Sequence, residues 1–176
     1  MKYSIHGPFK IKTDKETGLV DRSKTAKHSF WAMVENDEEN LPSSCGCYLF
    51  AIRASKGIKP WYVGLAAKQS FEKECFTPQK INIYNDVLAK CGNGTPLLFL
   101  VSKITKLGKL VKPSKNGHRD SMFLETLLIG TAIEKNPALM NIKKTKYLKE
   151  MCVPCFLNTP KRKPYRSESE FKRAIK

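Results

Sequence analysis

Two short apolar runs separated by a loop are the feature of this chain that most constrains its fold. The first run covers residues 46–52 and reads Gly-Cys-Tyr-Leu-Phe-Ala-Ile, and the second covers residues 61–64 and reads Trp-Tyr-Val-Gly. The stretch between them, residues 54–60, contains Gly57 and Pro60. Runs rich in aromatic and aliphatic residues, joined by a short loop with glycine, predict a β-hairpin.

The register of this hairpin decides where two tyrosines lie. With a turn centred near Lys56, Tyr62 pairs with Phe50. Tyr48 then lies on the same face of the sheet, because side chains two positions apart in a strand point the same way. We therefore expect two phenol groups in one patch. Tyrosine pairs on hairpins serve packing more often than catalysis, so the pattern by itself leaves both roles open.

The rest of the chain predicts an α+β fold. Residues 69–91 indicate two consecutive helices, the second beginning at Pro78, since apolar residues recur there at spacings of three and four. Residues 97–101 form a continuous apolar run that suits a buried strand. A last helix is expected from an N-cap at Asp120 until shortly before Pro137. The order β-β-α-α-β-α suits a small, mainly antiparallel sheet flanked by helices.

The length and the charge of the chain limit its domain organisation and the kinds of partner that it can bind. A chain of 176 residues has room for about one domain. We expect a lead-in over residues 1–44 that packs on the core, a core over 45–142 and a basic extension over 143–176. The net charge is +16, and half of that excess lies in the extension. Such a bias favours a polyanion, either nucleic acid or an anionic membrane surface, unless the extension only aids solubility.

The location in the cell follows from what the sequence lacks. No apolar run approaches the ~18 residues of a membrane span, and the first residues have no apolar segment typical of a secretory signal. We therefore expect a cytoplasmic protein with no membrane partner, whose six cysteines are reduced thiols. A zinc site built from Cys45, Cys47, Cys152 and Cys155 is the less favoured alternative.

Glu125 stands out on the last predicted helix. Its neighbours three and four positions away are Met122, Leu128 and Ile129. A carboxylate among apolar side chains is costly unless it has a cation or a hydrogen-bond partner, and a hard divalent ion such as Mg²⁺ would serve. The alternative is a glutamate at the edge of the apolar face that reaches solvent or pairs with a lysine.

In order and spacing, these elements resemble the GIY-YIG nuclease family, whose core opens with two such strands. The resemblance covers roughly residues 45–142. It includes both apolar runs, the helix with Glu125 and the segment Asn-Pro-Ala-Leu-Met-Asn at residues 136–141. It implies a metal-dependent endonuclease, a hydrolase that cleaves phosphodiester bonds of nucleic acid, with DNA as the expected substrate.

The resemblance also implies roles for particular residues. Glu125 would bind Mg²⁺ or Mn²⁺, and Tyr48 or Tyr62 would activate or orient a water molecule. Asn141, which matches a late asparagine of the family, would hold the metal shell or a tyrosine. Lys73 would stabilise the charge that develops on the phosphate.

One element departs from the family pattern. The family carries an arginine about ten residues after the second tyrosine, whereas residues 70–75 here read Ser-Phe-Glu-Lys-Glu-Cys. Lys73 is the cation of this segment, and a lysine offers a point charge instead of the bidentate fork of arginine. Either Lys73 replaces the arginine, or another cation does (Lys68, Lys80 or Arg53). The remaining alternative is a catalytically weakened module that binds nucleic acid or a protein partner.

Contacts to the phosphate backbone are expected from two lysines of the core and from the basic extension. These contacts do not depend on base sequence, because they neutralise phosphate charge. The residues are Lys68, Lys80, Lys161, Arg162 and Lys163.

Overall fold

The computed structural model describes residues 1–55, 57–142 and 145–175. Within it the chain divides into two units, Met1–Met140 and Asn141–Lys176. The first unit is an α+β fold with a four-stranded antiparallel sheet, as the sequence predicts. The second unit contains two short helices, α5 (Lys146–Glu150) and α6 (Arg166–Ile175).

The sheet is built from four strands in the spatial order β1-β4-β2-β3. Their bounds are Lys2–Lys10 for β1, Gly46–Ala54 for β2, Gly57–Ala66 for β3 and Thr95–Ile104 for β4. The predicted hairpin is confirmed: β2 and β3 are antiparallel, and Phe50 pairs with Tyr62. β2 also pairs with β4, so the apolar run of the first tyrosine lies in the middle of the sheet.

The strand β1 is absent from the predicted order. Its sequence alternates polar and apolar residues without a sustained apolar run, and most of its side chains are exposed. Its place is decided by pairing with β4, from Lys2 opposite Ile104 to Lys10 opposite Leu97. The first residues of the chain therefore complete one edge of the sheet.

Helices lie on both faces of the sheet. The inner face, which bears Phe50, meets α1 (Lys24–Asp37), α2 (Phe71–Glu74) and α3 (Pro78–Cys91). The ring of Phe50 stacks on Tyr84 of α3 with centroids 4.2 Å apart. The opposite, outer face meets α4 (Arg119–Lys135), which packs on β3 and β2.

One local expectation needs correction. The predicted N-cap at Asp120 is wrong, because His118 is the N-cap of α4 and Asp120 lies in the first turn. There the Asp120 carboxylate accepts a hydrogen bond from Lys103 Nζ at 2.8 Å, a tertiary ion pair that links α4 to β4.

No helix among the described residues is both long enough and apolar enough to cross a membrane.

Candidate active site

The hairpin brings the two tyrosines together on the inner face of the sheet. The ring centroids of Tyr48 and Tyr62 are 6.2 Å apart, with the ring planes tilted by 45°. Tyr48 is 0% exposed and Tyr62 is 9% exposed. β3 is an edge strand of the sheet, so Tyr62 lies nearer to solvent than its neighbour on β2. The predicted convergence of the phenol groups is thus present, but the two groups differ in access.

Tyr48 has the environment of a core residue. Burial raises the pKa of its hydroxyl well above the usual value. The hydroxyl of Tyr84 adds to this rise in the pKa of Tyr48, and the two hydroxyl groups lie close together, but their arrangement does not meet the distance and angles of a hydrogen bond. In the described part of the chain, the Tyr48 hydroxyl has no hydrogen-bond partner. This phenol is therefore poorly suited to release a proton to water.

Gly64 makes room for the Tyr48 ring. It lies directly opposite Tyr48 in the β2–β3 pairing. A Cβ atom at this position would lie 2.0 Å from the Cζ atom of Tyr48 and 2.3 Å from its hydroxyl oxygen. No side chain fits at such distances, since carbon atoms in contact are about 3.5–4.0 Å apart. The glycine of the second run is required by the first tyrosine.

Lys80 is the cation that the structure places against the tyrosine pair. Its Nζ atom donates a hydrogen bond of 2.7 Å to the Tyr62 hydroxyl and lies 3.6 Å from a carboxylate oxygen of Glu74. Burial by itself would lower the pKa of Lys80, but the bond to Tyr62 and the charge of Glu74 outweigh it and raise the pKa. A charged ammonium group is therefore held beside the more accessible phenol.

Glu74 and Gln69 complete this cluster, and sequence reasoning did not predict them as site residues. Gln69 donates a hydrogen bond to the Glu74 carboxylate, which in turn holds Lys80. Glu74 ends α2 and Lys80 lies in the first turn of α3. The break between these helices brings together two residues that are six positions apart in the sequence. In a regular helix, neighbours on one face are three or four positions apart. The sequence therefore carried no periodic signal for this contact.

Lys73 and Lys68 are not the lysines that contact Tyr62. Lys73 is exposed on α2, whereas Lys80 contacts Tyr62. Lys68 lines a cleft of about 390 Å³ whose walls include Glu74 of α2 and Met122 of α4. This cleft connects the helix that holds the cation cluster with the first turns of α4.

Glu125 lies on the side of α4 that faces the sheet. The buried residues Ser121 and Ile129 are four positions before and after it, and residues at this spacing share one face of a helix. Glu125 itself is half-buried. Met122, which lines the cleft, precedes it by one helical turn. Glu125 thus lies between the buried polar Ser121 and the buried apolar Ile129, and its expected role as a metal ligand stays a prediction.

A metal ion at Glu125 would have few protein ligands. Among the residues described, no group of three or more His, Cys, Asp or Glu side chains could hold a metal. Mg²⁺ commonly uses one or two carboxylates and completes its shell with water and phosphate oxygens. A single glutamate is compatible with that requirement, but Glu125 belongs to the helix that packs on the outer face of the sheet, whereas Tyr48 and Tyr62 lie on the inner face.

The cysteines of the first apolar run behave as buried thiols. The Sγ atom of Cys45 donates to the carbonyl oxygen of Lys112 at 3.4 Å, and that of Cys47 donates to Ser121 at 3.3 Å. Burial raises the pKa of Cys45 to about 11. The Cys45 thiol thus favours the protonated form, which does not bind zinc.

The remaining predicted site residues belong to the second unit. Asn141 is its first residue, and its role at the metal shell stays a prediction. The guanidinium group of Arg162 donates to both carboxylate oxygens of Glu168, at 2.9 and 2.6 Å. Lys161 and Lys163 are exposed on either side of it, where they can reach a polyanion.

Comparison with known proteins gives no assignment, because no family model, no curated protein and no solved structure matches this chain.

Proposed function

We propose that this protein is a metal-dependent endonuclease that hydrolyses phosphodiester bonds of nucleic acid, with DNA as the expected substrate. The observation that carries the proposal is the hydrogen bond from the Lys80 ammonium to the Tyr62 hydroxyl, next to the buried ring of Tyr48. The resemblance of the chain to GIY-YIG nucleases, whose arginine it lacks, supports the same reaction.

In this proposal, Lys80 acts as the phosphate clamp. An ammonium group carries three N–H donors, and one of them is used by Tyr62. The others can meet the oxygens of a phosphate as negative charge develops there during the attack of water. Lys80 would thus take the place of the arginine that is missing from α2. Lys73 would then be an exposed surface lysine without a role in the reaction.

Tyr62 is the phenol suited to take part in the reaction. It is the more accessible tyrosine of the pair, and the neighbouring ammonium stabilises negative charge on its oxygen. It can therefore orient the attacking water and share its proton. Tyr48 acts as a positioning residue, because its buried ring packs against Tyr62 and limits the orientations that the second ring can take.

Glu125 is the residue that would hold Mg²⁺ or Mn²⁺. When bound, such an ion polarises the scissile phosphate and stabilises the leaving oxygen.

A nucleic-acid-binding module with weak or no catalysis is the second candidate. It is favoured by the ion pair between Lys80 and Glu74, since a neutralised lysine attracts phosphate less strongly than a free one. The basic extension would then provide most of the affinity through phosphate contacts.

Nicking of supercoiled plasmid in Mg²⁺ or Mn²⁺ tests the proposal. Lys80→Ala should lower the cleavage rate by about 10²-fold or more, the scale for losing one preorganised donor from a transition state. Lys73→Ala is the matched control and should cleave like the wild type. Because Lys80 is partly buried, Lys80→Met keeps the packing and should show the same loss. If only Lys73→Ala loses activity, Lys73 is the clamp; if the wild type does not cleave, the binding module is the better description.

Calorimetric titration of Mg²⁺ or Mn²⁺ tests the metal ligand separately. Glu125→Gln should remove binding and keep the fold, because the amide has nearly the same shape but no charge. Glu134→Gln, on an exposed position of the same helix, is the control and should bind the ion like the wild type. Equal binding by both variants would remove Glu125 as the ligand.

A further inference from the structure

A cleft opens at the end of β3, beside the residues that hold Lys80. Its volume is about 390 Å³. Its apolar walls are formed by Leu65, Ala67 and Met122. Concave sites of this size, with mainly apolar walls and a few polar groups at fixed positions, are the usual form of a ligand site.

Two polar side chains of the cleft belong to the cluster around Lys80. The amide nitrogen of Gln69 donates a hydrogen bond to one oxygen of the Glu74 carboxylate, and the other oxygen lies 3.6 Å from Lys80 Nζ. Amide and carboxylate groups recognise the edges of nucleic-acid bases, because they offer the acceptors and donors that bases require. The cleft is thus separated by one side chain from the lysine that the proposed mechanism assigns to the phosphate.

Three cations lie at or near the rim of the cleft. Lys68 lines it and is exposed, and Gly117, which also lines it, packs beside Lys68. The exposed Lys115 and Arg119 lie within two positions of Gly117. Such cations attract the phosphates on either side of a bound nucleoside. Apolar surface for a base, next to cations for the backbone, is the common arrangement in sites for single strands, and this charge favours a polyanion over a protein segment.

We propose that the cleft receives one unpaired base of a nucleic-acid strand whose neighbouring phosphate is bound at Lys80. The base contacts the apolar walls, and the polar groups of Gln69 and Glu74 meet its edge. In a duplex each base is paired and stacked, and it enters a pocket only after it has left the stack, which opposes binding. The substrate class of the nuclease is therefore nucleic acid with single-stranded or locally unpaired bases. The inference rests on the proposed function, because Lys80 as phosphate clamp places the strand beside the cleft.

Fluorescence anisotropy of the full chain with labelled DNA in EDTA tests the cleft without cleavage. A fully paired duplex is compared with a duplex of the same length that contains a short mismatched bubble. Both carry the same number of phosphates, so that their affinities at one salt concentration differ only through the unpaired bases. The wild type should bind the bubble about 10-fold more tightly, the scale of one base contact.

Met122→Glu should abolish this preference, because it places a charge in the apolar wall. Phe123→Glu is the matched control, since it adds the same charge at the next position of α4, where the side chain is 67% exposed and does not line the cleft. It should keep the preference. Met122→Gln removes the apolar contact without adding a charge and should lower the preference in the same direction, and circular dichroism shows that each variant is folded.

Equal binding of both duplexes by the wild type would overturn the proposal. So would a preference that persists in both variants of Met122, because the base would then be bound elsewhere. The result is distinct from that of the nuclease assay. A wild type that prefers the bubble in EDTA but does not nick plasmid would refute the nuclease alone, whereas nicking without this preference would refute the base site alone.

Discussion

Removing the hydroxyl of Tyr48 should stabilise this protein, whereas removing that of Tyr84 should destabilise it. Both side chains are 0% exposed, and Tyr→Phe removes the same single atom from each. The Tyr84 hydroxyl donates to the carbonyl oxygen of Cys75 at 3.0 Å. The Tyr48 hydroxyl has no partner among the described residues. The two variants therefore differ in one physical respect, the satisfaction of a buried donor.

The magnitudes follow from the cost of burying an unpaired polar group. A buried hydroxyl without a partner costs about 1–3 kcal/mol, so Tyr48→Phe should gain about 1 kcal/mol or more in free energy of unfolding. Tyr84→Phe loses a hydrogen bond and leaves a carbonyl group less satisfied, a cost of about 1–2 kcal/mol. Since 1 kcal/mol shifts the Tm of a chain of this size by about 2–4 °C, the two variants should melt at least about 4 °C apart.

Urea unfolding of the full chain, followed by circular dichroism, measures both effects. The m values should be equal, so that the midpoints report stability alone. If Tyr48→Phe lowers the free energy of unfolding by more than about 1 kcal/mol, the hydroxyl is hydrogen-bonded in solution and the reasoning is refuted.

The same variant separates the roles of the two tyrosines at the site. Because Tyr48 acts through its ring in the proposed mechanism, Tyr48→Phe should nick plasmid close to the wild-type rate. Tyr62→Phe removes the oxygen bonded to Lys80 and should cleave much more slowly. Equal losses in both variants would return Tyr48 to a direct catalytic role.

Two further predictions concern the packing and the pH dependence of the fold. Gly64→Ala should lower the free energy of unfolding by about 1–3 kcal/mol or more, as overpacking does, because the added Cβ atom would lie 2.0 Å from the Tyr48 ring. Denaturant titration measures this change. An unchanged midpoint would show that the ring can move. Burial tends to raise the pKa of Asp120, but hydrogen bonds from Lys103 and Tyr3 outweigh it and lower the pKa below 3.8. Asp120 therefore contributes stability above that pH and loses it as the pH falls further. Asp120→Asn should weaken the loss of stability at acidic pH when the free energy of unfolding is measured against pH. The same loss in the variant and the wild type would contradict the role of Asp120.

The elements that could be predicted from the sequence are those with a local pattern. The two apolar runs and the short loop between them predicted the hairpin, and the expected centre of the turn predicted its register, in which Phe50 pairs with Tyr62. Pro78 and the spacing of apolar residues located α3 in the same way. Glu125 was singled out because its apolar neighbours follow the helical period, and the structure confirms the helix that carries it.

Tertiary structure alone decided the features that join distant segments. β1 has no strong pattern of its own and is fixed by its pairing with β4, about a hundred positions along the chain. Asp120 looks like a helix cap in sequence, but Lys103 on a neighbouring strand draws it into an ion pair. Such partners are selected by the packing of the whole sheet.

The comparison of Lys73 with Lys80 shows most clearly what could be predicted from the sequence and what depends on tertiary structure. Counting along the chain pointed to Lys73, since it lies where a related family carries its arginine. The fold places Lys80, in the first turn of α3, at 2.7 Å from the Tyr62 hydroxyl. The spacing of two residues in the sequence gives their distance along the backbone. The electrostatic effect of a lysine on a tyrosine hydroxyl depends on their distance in space, which is known only from the folded structure.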